Sequence, residues 1–156
     1  MANGHRLRVL QLVVDALATV PGIWLATLGP HDLNRLMGKL PAACVLGGFG
    51  GEVENLPSRQ IATTFPFAVD GFVKATSDQD PATILAAVED FYQAVENVVL
   101  GTTLAAALIA DAQAHGNEGC TGILLDAAPT GEDQWPPFGS FRMHLRGRLH
   151  YTRGGL

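Results

Sequence analysis

The chain has 156 residues, 47% of them hydrophobic and 16% charged, with a formal net charge of −5. That is enough apolar material for one domain with a proper core and too much for a disordered chain. The acidic balance argues against a protein built to wrap nucleic acid.

Charge is unevenly spread. Between Asp70 and Asp133 there are eleven carboxylates against one base, Lys74, whereas four arginines and no acid follow Asp133. A chain polarised in this way meets copies of itself or a partner of opposite sign. Cys44 and Cys120 lie far apart, which suits neither a disulfide framework nor a metal knuckle and fits a reducing cytosol. Asp15 interrupts the first apolar run before it can serve as a secretory core, and no uninterrupted run reaches the ~18 residues of a membrane span. A soluble intracellular product is the expectation.

Residues 5–20 place Leu7, Leu10, Val13, Val14, Leu17 and Val20 at helical spacing, and Pro21-Gly22 stops the helix. Residues 23–28 read as a short buried strand, 31–37 as a brief helical turn, and 40–46 as a strand opened by Pro41. The stretch GGFGGEVENLPS reads as a flexible loop, costly to order alone and expected to become fixed on assembly. A long strand over 59–76 puts Ile61, Thr63, Phe65, Phe67, Val69, Val73 and Ala75 on one face. Pro66 inside it argues for an edge strand or a bulge, and Gly71 for a second kink.

Asp78 or Asp80 is expected to cap a helix beginning at Pro81, with Ile84, Val88, Phe91, Tyr92, Val95 and Val99 as its buried stripe. Gly101 breaks it, and Thr102 or Thr103 caps an alanine-rich helix running to His115, with Gly116 at its end. Residues 122–126 form a strand and 127–139 a Pro/Gly-rich loop. The resulting fold class is α+β, a single domain over 1–156, with a mixed or antiparallel sheet and helices mainly on one face.

The last strand, 140–152, is the most informative. Phe141, Met143, Leu145, Leu149 and Tyr151 alternate with Arg142, His144, Arg146, Arg148 and His150, giving one apolar and one basic face. The apolar face should pack against the helices. The basic face has solvent, passing DNA or a neighbouring subunit's carboxylates as candidates, and the neighbour is the favoured partner.

Motifs for chemistry are weak. From Gly48 and Gly50 the third glycine of a dinucleotide fingerprint would fall at Val53, and Gly38-Lys39 is followed by leucine. His144 and His150 stand ~20 Å apart on an extended strand, too far to share a metal. His115, Glu118 and Cys120 lack a fourth ligand. Glu89-Asp90 and Glu132-Asp133 read as a solvated helix face and a loop. His31-Asp32 is not a dyad by adjacency, although a small enzyme site built from them and distant residues remains a competing reading. No cofactor and no metal are expected. Trp135, Phe138 and Phe49 are aromatics on Pro/Gly-rich segments, either folded onto the core or offered to a partner.

The order of these elements resembles the tail-terminator proteins of long-tailed bacteriophages, the minor tail protein U family. The resemblance runs from about Arg6 to Arg153. It is carried by the LRVLQLVVDAL helix, the LPAACVL strand, the Gly/Glu loop, the long strand, the acidic helix pair and the final FRMHLRGRLHYT. It implies a non-enzymatic virion protein, assembled as a hexameric ring at the head-proximal end of the tail tube, that ends tube growth. Its partners would be copies of itself, the major tail tube protein and the head–tail connector protein, with DNA passing through the channel and no membrane involved. Arg142, Arg146, Arg148, Phe49, Trp135 and Phe138 are the expected contact residues. A connector or adaptor at another layer of the same virion is the alternative.

Overall fold

The computed structural model describes residues 2–30, 33–36, 38–48, 50–75, 80–131 and 137–152. In chain order the elements are α1 (Ala2–Leu17), β1 (Leu25–Leu28), α2 (Leu33–Leu36), β2 (Ala42–Gly47), β3 (Val53–Asn55) and β4 (Gln60–Lys74). They continue with α3 (Pro81–Val99), α4 (Thr102–Ala114), β5 (Gly119–Leu125), β6 (Thr130–Gly131) and β7 (Phe138–Thr152). The α+β class holds.

One sheet of seven strands runs β1-β2-β4-β7-β5, with β3 beside β4 and β6 beside β7. β1 and β2 are parallel and all other pairs antiparallel. Its backbone is the β4–β7 ladder, in register from Gln60↔Thr152 to Lys74↔Phe138. The main core lies between this sheet and α1, α3 and α4, with Val13, Leu17, Phe65, Val69, Ile84, Val95, Met143, Leu145 and Leu149 almost wholly buried. α2 is the exception. Leu36 packs with Ala42 and Cys44 in a small second cluster, and these alternate with Ala43 and Val45 of the main core, so α2 covers the opposite face.

Local chemistry explains several boundaries. Asp80, not Asp78, caps α3 by accepting from the Ala82 N–H, and Pro81 takes the first helical position. α4 has Gly101 at its cap and no side-chain hydrogen bond there, so neither Thr102 nor Thr103 plays that part. Gly116 follows the helix at φ 68°, the left-handed turn expected of it. By length and mean hydropathy the stretch Pro81–Ala114 is apolar enough to cross a membrane, which uninterrupted runs alone did not reveal. The chain breaks it at Gly101, and α3 presents Ile84, Val88, Phe91, Val95 and Val99 to the core.

Three expectations need correction. In α1 the centre of the buried stripe runs through Val9, Val13 and Leu17, while Leu7 is exposed, about a third of a turn round from that line. Arg6 falls on the line, and its guanidinium carbon lies 5.6 Å from the centre of the Phe65 ring. The segment after β2 is not a free loop: Val53–Asn55 pairs with β4, and the Thr64 N–H donates to the Glu52 carbonyl at 2.9 Å. Gly51 permits this approach, since a Cβ there would meet the Thr64 carbonyl oxygen at 1.6 Å.

Finally, β4 is central despite Pro66. The Gly48 N–H donates to the Pro66 carbonyl, so the missing N–H of Pro66 faces the same side. β2 stops there at the Gly47↔Phe67 pair, and β3 begins beyond it at Val53↔Thr63. The proline falls in the gap on that side between the two ladders, where no ladder partner stands.

Candidate assembly interface

β7 delivers the alternation that its sequence predicts. Phe141, Met143, Leu145 and Leu149 are buried and Tyr151 half-buried. Gly147, which breaks the apolar register, is filled from across the ladder: Phe65 stands opposite it, and a Cβ at 147 would sit 2.6 Å from that ring. Gly71 and Phe141 repeat the arrangement in reverse.

The other face carries the five basic side chains, lying over the small residues Ala62, Thr64, Pro66 and Ala68 of β4 that share it. Arg142 meets its cross-strand partner Asp70 as a fork, with Nε donating to Oδ1 at 2.7 Å and Nη2 to Oδ2 at 2.9 Å. Arg146 Nη2 lies 2.7 Å from Asp126 Oδ1. Arg148 Nη2 reaches Glu54 of β3 at 3.4 Å, and His144 Nε2 is 3.0 Å from the Thr130 hydroxyl.

The carboxylates opposite these arginines therefore belong to the same chain. Within one copy this pairing arises because the sheet places β3, β4 and the segment after β5 around β7. Of these pairs Asp70–Arg142 is the least exposed, with the carboxylate buried and the guanidinium partly open to water. The Arg146 and Arg148 pairs are exposed enough to contribute at most about 1 kcal/mol each, leaving both arginines open to exchange partners.

Phe138 opens β7 opposite Lys74, whose Nζ lies 6.0 Å from the ring centre. Phe49, Trp135, His31, Asp32 and Glu132-Asp133 lie outside the described residues. Glu89 and Asp90 are exposed on α3. Among the described residues no three His, Cys, Asp or Glu side chains converge as a metal set. Glu118 instead meets His5, His115 Nδ1 contacts the Asp111 carbonyl, and the Cys120 thiol donates to the Gly122 carbonyl. Both thiols are free and buried. Burial, with the Asp70 carboxylate nearby, pushes Cys44 up to about 11, so it is a poor nucleophile at neutral pH.

A polar corner went unread in the sequence. His5 of α1 is buried, stacks on Tyr151 with ring centres 6.0 Å apart, and places Nε2 3.2 Å from Glu118 Oε2. Glu118 Oε1 accepts from the Thr152 N–H at 2.9 Å. Arg8 donates to Asp111 at 3.2 Å and to the Glu118 carbonyl at 3.1 Å. The corner ties α1, α4, β5 and β7 together. Only the unusual histidine near the start of an apolar helix hinted at it.

Burial and then the Arg8 charge hold His5 below the ordinary imidazole value of 6.5, outweighing Glu118, which pulls it up. The Thr152 N–H lowers Glu118 below its ordinary 4.5, against the effect of burial. Both folded values are depressed. The His5 contribution is therefore complete above pH 6.5 and lost as pH falls through the lowered value; that of Glu118 is lost further down, below 4.5. Thermal melts should show stability declining from pH 6.5 downward, and His5→Phe, which keeps the stack on Tyr151, should flatten the first part of that decline. An unchanged slope in the variant would show that His5 is not its source.

No protein-family model matches the chain, and no curated protein matches it. Solved structures do match. One is a chain from the virion of a native gene transfer agent particle, with a TM-score of 0.48 and 11% sequence identity, covering 92% of this chain and 92% of that one. The likeness is one of chain path and says nothing of what this protein binds.

Proposed function

We propose that the protein is a structural component of a phage virion that closes the head-proximal end of the tail tube as a hexameric ring, ending tail growth and forming the joint to the head connector. The observation that supports this reading is the order of elements. An N-terminal helix, the strand Ala42–Gly47 just after Leu40-Pro41, a Gly/Glu segment, a long central strand, an acidic helix pair and a final basic strand follow one another within one domain. That order carries the resemblance to the tail-terminator family. In this reading the partners are copies of the chain, the tail tube protein and the connector; DNA crosses the channel without sequence-specific contacts, and the protein is not an enzyme.

Light scattering after size exclusion, followed by negative-stain imaging, is the test. Six-membered rings, free or on the ends of headless tails, are the expected result. Protein found on tailless heads would instead favour the connector or adaptor reading. A monomer at high concentration that is also monomeric in mature particles would overturn both.

A further inference from the structure

Among the described residues, three buried side-chain polar atoms have no hydrogen-bond partner in the chain: His5 Nδ1, Arg6 Nε and Thr63 Oγ1. All three belong to one seam, where the first turns of α1 cross β4 and β7. His5 stacks on Tyr151, which pairs with Ile61 of β4. Arg6 lies over Phe65. Thr63 stands between Ile61 and Phe65 on the same face of the strand, so it sits between the two places where α1 meets the sheet. His5 and Thr63 are only 5% and 3% exposed. Buried polar atoms are nearly always hydrogen-bonded, and three exceptions side by side point to one shared partner.

The chemistry of the three atoms selects that partner. His5 Nε2 faces the Glu118 carboxylate at 3.2 Å, which can only accept. The proton of the neutral ring therefore sits on Nε2, and Nδ1 is an acceptor. Arg6 Nε is a donor only; Phe65 covers the face of the guanidinium, whereas the Nε–H bond lies in its plane and still calls for an acceptor. The Thr63 hydroxyl plays either part. The partner must then donate to His5 and accept from Arg6. A carboxylate, phosphate or halide cannot donate, and a metal ion or ammonium cannot accept and is repelled by Arg6. Water does both, and internal water typically makes about three hydrogen bonds to otherwise unmatched groups.

We infer that the seam between α1 and β4 is a binding site for internal water, which donates to His5 Nδ1, accepts from Arg6 Nε–H and completes the Thr63 hydroxyl. The site extends the polar corner inward. Glu118 holds one nitrogen of His5 and water the other, so the ring is fixed in a single tautomer, and α1 is joined to β4 by hydrogen bonds as well as by apolar packing. Nothing in this depends on the ring reading.

Water is its own probe. In water-selective nuclear Overhauser spectra of the full chain, cross-peaks are expected from the water resonance to the Thr63 methyl and the His5 ring C–H protons, with the sign of a water that tumbles with the protein. A second readout uses Thr63→Val, which keeps the shape of the side chain. If the hydroxyl is bonded to internal water, its loss should lower the melting temperature by about 2–4 °C. If the hydroxyl has no partner, its removal relieves a penalty and the melting temperature rises. No cross-peak at either residue, or a higher melting temperature in the variant, would overturn the inference.

Discussion

Truncating Phe65 to alanine is expected to cost about 3–5 kcal/mol, on the order of 10 °C in melting temperature for a chain of this size. The ring is buried, stacked on Phe67 at 5.6 Å between ring centres, with Arg6 over it and Gly147 opposite. Arg6 Nε is buried with no hydrogen-bond acceptor among the described residues, so the ring face is the compensation available to it. The truncation thus leaves a cavity, a bare glycine and an unsupported cation. Gly147→Val alone should also destabilise, by about 1–3 kcal/mol, because its side chain must displace that ring. Together the two should cost less than their sum, since the valine enters the space the ring vacates. Urea denaturation of the four proteins decides it. Additive losses would mean that ring and glycine do not share one space.

The second large effect is expected at Asp70. Its side chain is 12% exposed and that of Arg142 is 38% exposed, in the middle of the longest ladder. Removing one member of a fully buried pair costs about 3–5 kcal/mol. Water reaches Arg142 here and lowers that figure, so Asp70→Ala should cost about 2 kcal/mol. Replacing both partners, as Asp70→Leu with Arg142→Met, should recover part of the loss, because the cost of desolvating the pair is removed together with its attraction. By contrast Arg146→Glu and Arg148→Glu should leave the monomer within about 1 kcal/mol of wild type. An Asp70→Ala protein as stable as wild type would remove the pair from the account of this sheet.

The sequence made the succession of elements legible because its signals were local. Asp78 or Asp80 before Pro81 started a helix, the stripe from Ile84 to Val99 oriented it, and alternation broken only at Gly147 defined β7. Registers were not legible, since they depend on which strands meet. Pro66 argued for an edge, and only the handover between β2 and β3 reconciles it with a central strand. Val53–Asn55 is too short and too exposed to carry a pattern of its own. The acids facing Arg142, Arg146 and Arg148 come from residues 70, 126 and 54, separations at which no spacing rule operates. The legible part of the interface was its chemistry, a basic strand face; its present occupants were not.

Pro66 makes β4 a rail with one continuous side and one divided side. Along β7 its pairing is unbroken for fifteen residues, whereas β2 and β3 hold separate lengths of the opposite side, with no ladder pair at residue 66. Opening of β3 therefore has no path into β2. Amides of 53–55 should exchange with solvent far faster than those of 42–47, and a few residues inserted or deleted between Gly48 and Gly51 should change only how β3 is hung. This corner can vary in length and sequence, and so adapt to whatever lies against it, without any cost to the register that holds the core.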